Sequence, residues 1–245
     1  MANQLTERQK LILKAIIDEY IDTAEAVGSD TLDKKYNLGV SPATIRNEMA
    51  DLEKEGWLLK PHTSSGRAPT PMALKYYVKS LMKEKEMSVS DEVKVKEQVN
   101  DVKDELDKFM REATRALAER TKTIALTSLN TGDTYYAGTG NILDMPEFFD
   151  IDVTKTLLSL LDQDEYWGQL IEKAIETDEP IHLLLGSDLG TKYLAPCGFV
   201  YTNFKIGPKI KGAIGVVGPM RLQYTTIIPT VRYFGDLITE IEGRW

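Results

Sequence analysis

Apolar residues recur at helical spacing almost from the start of the chain. In LTERQKLILKAIIDEYID, residues 5–22, Leu11, Ala15 and Ile16 share a face, with charged residues opposite and Thr6 placed as N-cap, which predicts a first helix. After Val27-Gly28, Ser29 is positioned to cap a brief second helix through Leu32 and Tyr36. Asn37-Leu38-Gly39 ends it, the glycine suited to a left-handed stop. Ser41 then caps a third helix, with Pro42 at the first helical position, where its fixed φ costs nothing. On this helix Ile45, Met49 and Leu52 fall on one face, which must bury, while Ala43, Asn47, Ala50 and Lys54, flanked by Thr44 and Arg46, form the other.

Past Gly56 the pattern shortens. WLLKP reads as a strand, HTSSG as a turn and RAPT as a short returning edge strand, its Pro69 barred from a central position. Three helices followed by this hairpin predict a winged helix-turn-helix domain over residues 1–83. Thr70-Pro71 repeats the cap-then-proline start, and Leu74, Tyr77, Val78, Leu81 and Met82 give a fourth helix. KEKEMSVSDE reads as a polar linker. Beyond it a long amphipathic helix, capped near Ser90 and spanning 90–120, carries Val95, Val99, Val102, Leu106, Phe109, Ala113 and Ala116 at alternating spacings of four and three. That is a heptad seam. It predicts either a homodimer interface or a helix packed inside its own domain.

From Thr121 to residue 245 the chain changes to strand-like runs separated by glycine: TIALTSL, IHLLLGSDL, APCGFVYTNFKI and IKGAIGVVGP. Helical pieces lie around VTKTLLSLLDQ and YWGQLIEKAIE. A closing helix places Ile227, Val231, Phe234, Ile238 and Ile241 on one face, and tolerates Pro229 only if that residue falls in the first turn. The expected fold class is therefore α+β.

Composition narrows the chemistry. With 245 residues, two domains can each bury a core. No apolar run approaches a membrane span, and MANQLTERQK lacks a signal-peptide core, so a cytoplasmic location without membrane association is expected. One cysteine, Cys197, and two histidines, His62 and His182, supply neither a disulfide framework nor a metal site, and no cofactor is expected. The net charge of −8 argues against nucleic acid until it is mapped. Residues 1–75 hold ten basic and eleven acidic side chains, residues 121–245 ten against sixteen, and residues 56–75 carry Lys60, Arg67 and Lys75 with no acid. One face of the front half can be positive.

The third helix then becomes the candidate reader of double-stranded DNA. Ser41, Thr44, Arg46 and Asn47 are short or hydrogen-bonding side chains of the kind that read base edges in the major groove. His62, Thr63, Ser64, Ser65 and Arg67 are candidates for phosphate or minor-groove contacts from the hairpin. In the alternative, Arg46 pairs with a nearby acid and Ser41 is only a cap. A dimer joined through Val95, Val99, Val102, Leu106, Phe109 and Ala113 would present two such helices to an inverted repeat. Other motifs resist a chemical reading. GAIGVVG has GxxGxxG spacing, so a strand and turn are expected; Asp144, Glu147, Asp150 and Asp152 read as a solvated face; Cys197 reads as a buried hydrophobe and His182 as structural. Without a paired base and nucleophile, no enzyme is expected.

The stretches LTERQKLILKAIIDEYI, VGSDTL, KYNLGVSPATIRNEMADLEKEGWLLKPHTSSGRAPT and KYYV together resemble the HrcA family of heat-inducible transcription repressors, as do YAGTGNILDMPEFFD and IGVVGPMRLQY further on. The resemblance implies a winged-helix repressor at an inverted-repeat operator upstream of chaperone genes, kept active by the GroE chaperonin, with a GAF-like domain bearing an inserted dimerisation domain. Only NTGDT separates TIALTSL from YYAGTGN, where the family carries much more chain. The expectation is a reduced GAF-like domain lacking part of its sheet and the insertion. A winged-helix regulator whose C-terminal domain senses a small molecule is the second reading.

Overall fold

The computed structural model describes residues 5–61, 66–100, 102, 105–175 and 179–240, with the backbone alone for 171–175. The chain divides between Lys83 and Glu84. In the first unit α1 (Glu7–Thr23) opens on a capping box, with the Gln9 N–H donating to the Thr6 hydroxyl at 3.2 Å and the Gln9 side chain accepting the Thr6 N–H at 3.0 Å. Helix α2 (Ser29–Lys35) is capped by Gly28 rather than by Ser29, which is already the first helical residue. Gly39 takes φ +68°, as its place in the turn requires. Helix α3 (Pro42–Lys54) starts where Ser41 accepts the Thr44 N–H at 3.2 Å. Its Ile45, Met49 and Leu52 are buried against α1 and α2, worth about 1.5–3 kcal/mol each.

The hairpin follows directly. Strand β1 (Leu58–Leu59) pairs antiparallel with β2 (Ala68–Pro69), Leu58 opposite Pro69. Just before β2, Arg67 and Val27 exchange both backbone hydrogen bonds at 2.8 Å, so the hairpin is sewn to the segment before α2 as well. Thr70 caps α4 (Pro71–Tyr76), which runs on as a π-helical turn over Tyr77–Leu81. The Trp57 and Tyr76 rings lie 5.2 Å apart, and the Tyr77 hydroxyl donates to Asp18 at 2.7 Å, tying α4 to the hairpin and to α1.

In the second unit the expected single long helix is two. Helix α5 (Val89–Asn100) is started by Ser88, whose hydroxyl accepts the Asp91 N–H, and a turn through Val102 leads into α6 (Leu106–Thr121). Gln98 meets Glu112 at 2.7 Å and Asp91 meets Arg120 at 2.5 Å, the register of an antiparallel pair. The apolar spacing runs unbroken from Val99 through Val102 to Leu106, so spacing alone does not reveal the break.

Five antiparallel strands follow: β3 (Ile124–Leu129), β4 (Thr134–Ala137), β5 (His182–Leu185), β6 (Cys197–Ile206) and β7 (Ile210–Pro219), in the order β4-β3-β7-β6-β5. The short NTGDT stretch, expected to mark a loss of sheet, closes the β3–β4 hairpin, with Gly132 at φ +96° and the Leu129 N–H bonded to Asp133 O. On one face α7 (Ile151–Leu161) and α8 (Asp164–Ile175) cover a core of Leu126, Leu157, Trp167, Phe199, Tyr201 and Val217. On the other, α6 and the closing helix α9 (Tyr224–Glu240) lie against the sheet, and Thr114 bonds Thr127 at 2.6 Å. At Gly235 a Cβ would stand 2.4 Å from Thr202 Cγ2, so the absent side chain sets how closely α9 approaches β6.

Pro229 is not in the first turn of α9. It lies five residues after Tyr224, inside the helix, and has no N–H to give the Thr225 carbonyl. That oxygen instead accepts the Lys85 N–H at 2.8 Å. Beside it Arg232 holds Glu84 through two bonds of 2.7 and 2.9 Å, and the Tyr233 hydroxyl donates to Glu92 O. The polar stretch at the head of this unit is therefore docked along α9. Ile241, expected on the closing face, lies outside the described residues.

Candidate nucleic-acid interface

The outward face of α3 is built by what its inward face buries. With Ile45, Met49 and Leu52 inside, the 3.6-residue repeat turns Ala43, Arg46, Asn47 and Lys54 outward, and all four are exposed. Ser41 is exposed too, its hydroxyl shared between the Thr44 N–H and the Thr44 hydroxyl at 3.0 Å, while Thr44 is half-buried beside it. The start of α3 is thus fixed by Ser41 and Pro42, which holds Arg46 and Asn47 one turn later on a rigid element.

Arg46 does not hang free. Its Nη2 lies 3.5 Å from Ser29 Oγ and 4.0 Å from Asp30 Oδ1, while the side chain remains 73% exposed. Sequence reasoning allowed Arg46 a nearby acidic partner without naming it, and assigned Ser29 a capping role. The signal for the contact was available only as the adjacency of α2 and α3, which no spacing within either helix expresses.

At the base of the hairpin, Gly66 is required by close approach: a Cβ there would sit 2.3 Å from Val27 O. Arg67, expected to face phosphate, instead turns its guanidinium inward. Its buried Nε stands 2.6 Å from Glu53 Oε2 of α3, an ion pair lacking hydrogen-bond alignment, with the Arg67 side chain only 18% exposed. The positive charge counted for residues 56–75 is thereby partly spent on α3. His62, Thr63, Ser64 and Ser65, the other hairpin candidates, lie outside the described residues.

The seam expected to join two copies is largely interior. Val95, Val99, Phe109 and Ala113 are buried within the chain, at 4, 1, 0 and 0% exposure, while Val102 and Leu106 are half-buried near the turn. Their apolar surface packs in the α5–α6 pair and against the sheet and α9, the intramolecular one of the two readings that the spacing left open. Burial pushes the Cys197 thiol up to about 12, which leaves it a protonated small hydrophobe. His182 stacks on Tyr201 at 4.9 Å and meets Asn203 at 3.2 Å, and burial moves its pKa down. Among the described residues no three His, Cys, Asp or Glu side chains are grouped to hold a metal ion, and no helix is long and apolar enough to cross a membrane.

The profile described as HrcA protein C terminal domain matches residues 73–228, more than half of the chain. A heat-inducible transcription repressor HrcA of Symbiobacterium thermophilum is 27% identical over 337 aligned positions, covering 97% of this chain and 98% of that protein. The protein of the same name from Moorella thermoacetica is 28% identical, with 97% and 98% covered. Since 337 aligned positions exceed the 245 residues present, at least 92 positions of the former relative have no counterpart here. A crystal structure of a hypothetical protein shares the fold, with a TM-score of 0.75 at 18% identity over 97% of this chain and 98% of that one.

Proposed function

The chain belongs to the HrcA family of heat-inducible transcription repressors, and we propose that it is a repressor of heat-shock genes, not an enzyme, that reads duplex DNA through α3. The observation that carries the DNA-reading assignment is the exposed Ala43, Arg46 and Asn47 face on a helix whose start is locked by Ser41 and Pro42. Helices α1 to α3 with the β1–β2 hairpin form a winged helix-turn-helix, in which α3 enters the major groove and the hairpin lies along the backbone. Ser41, Thr44, Arg46 and Asn47 face the groove, where they contact base edges. His62, Thr63, Ser64 and Ser65 belong to the hairpin's backbone contacts.

The second unit is read as GAF-like. Numbered within that unit, its strands run 2-1-5-4-3, which supports the assignment although the intervening family segment is shorter. An inverted-repeat operator calls for two copies, so the repressor acts as a homodimer through a surface other than the interior seam, in the cytoplasm where the DNA lies. Heat relieves repression by drawing on the small margin of folding stability, and GroE chaperonin restores the active form.

Selection of bound fragments from a random duplex pool tests this reading. A recovered inverted repeat, bound with an affinity that falls as salt rises, is expected because phosphate neutralisation releases counterions. Recovery of no enriched sequence, with binding insensitive to salt, overturns it. One observation favours the second reading, a small-molecule sensor: a cleft of about 560 Å³ lies between the end of α6 and the start of α9, lined by Arg120, Lys122, Met145, Arg221, Thr226 and Ile227. A metabolite that raised the melting temperature by mass action would establish it.

A further inference from the structure

We propose that Asp30 is a specificity-determining residue, buttressing the Arg46 guanidinium for base recognition and penalising its use on phosphate; the proposal rests on the DNA-reading role of α3 given above. Ser29 is buried and Asp30 is exposed, and the two stand at the start of α2, where Arg46 Nη2 reaches Ser29 Oγ at 3.5 Å and Asp30 Oδ1 at 4.0 Å. A long arginine side chain left loose would have to surrender its rotamer freedom on meeting DNA. Here Nη2 already rests at the outer reach of a hydrogen bond to Ser29 and of an ion pair with Asp30. Arginine carries five N–H donors in a planar fork, so the donors turned away from α2 remain for a bidentate contact with the O6 and N7 acceptors of a guanine, and Asp30 keeps its own contact meanwhile.

Phosphate is treated differently. A backbone phosphate approaching Arg46 also approaches the Asp30 carboxylate, whose side chain is 76% exposed, and like charges repel. A base edge carries no net charge and escapes that repulsion. Asp30 therefore separates site from non-site binding by what it disfavours as much as by what it holds. Within the acid-bearing stretch before α3, this carboxylate has a defined geometric relation to an outward-facing residue of the reading helix.

The test compares affinity for a duplex recovered by selection with affinity for random-sequence duplex, in the wild type, Asp30→Asn, Arg46→Ala and the double variant, with melting temperatures alongside. Asp30→Asn is expected to lower the site-to-random ratio by about two- to fivefold, the range of an exposed charge pair, chiefly by strengthening random binding. In the Arg46→Ala background the same change is expected to leave the ratio where it was. An equal fall in both backgrounds, or none in either, overturns the buttress. If Arg46→Ala alone leaves the ratio unchanged, base reading by Arg46 fails, a result distinct from loss of the Asp30 effect. Should Asp30→Asn not fold, Asp30→Ser carries the same comparison, because it too removes the charge while keeping a small polar side chain at the start of α2.

Discussion

Arg67, just before the returning strand, and Glu53 on α3 meet at 2.6 Å, so the hairpin and α3 are joined by charge as well as by the backbone that connects them. A contact of this kind orients two elements relative to each other without itself touching a ligand. Arg67→Ala is therefore expected to weaken binding to every duplex alike, through a displaced hairpin, with a stability loss of about 1 kcal/mol once partial exposure is allowed for. Arg46→Ala is expected to cost ~1–3 kcal/mol of affinity and relax preference at one base position. Gel-shift titrations against single-base variants separate the two patterns. Identical profiles for both variants would contradict this division of labour.

Gly66→Ala forces a methyl group to within 2.3 Å of Val27 O unless the backbone gives way. The paired bonds between Val27 and Arg67 must then lengthen or break, at a cost of about 1–3 kcal/mol, the usual range for overpacking. Urea unfolding followed by helical circular dichroism reads this, because the hairpin is tied to the helices of the first unit. An unaltered midpoint would mean that the segment before α2 is free to move aside.

The interior seam makes a claim about assembly. Phe109→Ala empties a fully buried site on α6 and is expected to destabilise the chain by about 3–5 kcal/mol, whatever its oligomeric state. Sedimentation of any protein that still folds is expected to show unchanged association. A folded, stable monomer from a wild-type dimer would return the seam to the interface.

Acid tests the α5–α6 pair. Bonds from the Arg120 guanidinium, then from the Ser88 hydroxyl, hold Asp91 down at about 2. A carboxylate with a depressed folded pKa favours the folded state above its unfolded value of about 3.9, and that contribution disappears as the pH falls through the folded value. The wild type is expected to lose this contribution between about pH 4 and pH 2, and Asp91→Asn to lack it already at neutral pH. Helical circular dichroism across an acid titration compares the two. Parallel curves for the variant and the wild type would remove Asp91 from the account.

Local chemistry was legible where a residue acts within its own turn. The Thr6, Ser41 and Thr70 caps, the prolines that follow two of them, the left-handed Gly39 and the buried face of α3 all express rules that span at most two helical turns. What escaped sequence reasoning was mostly what crosses between elements. Glu53 as the partner of Arg67, Ser29 and Asp30 beneath Arg46, and Lys85 at the Thr225 carbonyl have no local spacing to betray them. The break between α5 and α6 did leave a trace, in the run of Asn and Asp residues around Val102, but the unbroken seam outweighed it. Strand β4 was hidden by its brevity, although Asn130-Thr131-Gly132-Asp133 carries the residues of a hairpin turn.

Pro229 leaves the closing helix with a vacancy in its ladder that a residue from the head of the unit fills. The clasp between Lys85 and Thr225, with Glu84 and Arg232 beside it, closes the unit head to tail. Loosening of residues 84 and 85 would therefore uncover the Thr225 carbonyl inside α9.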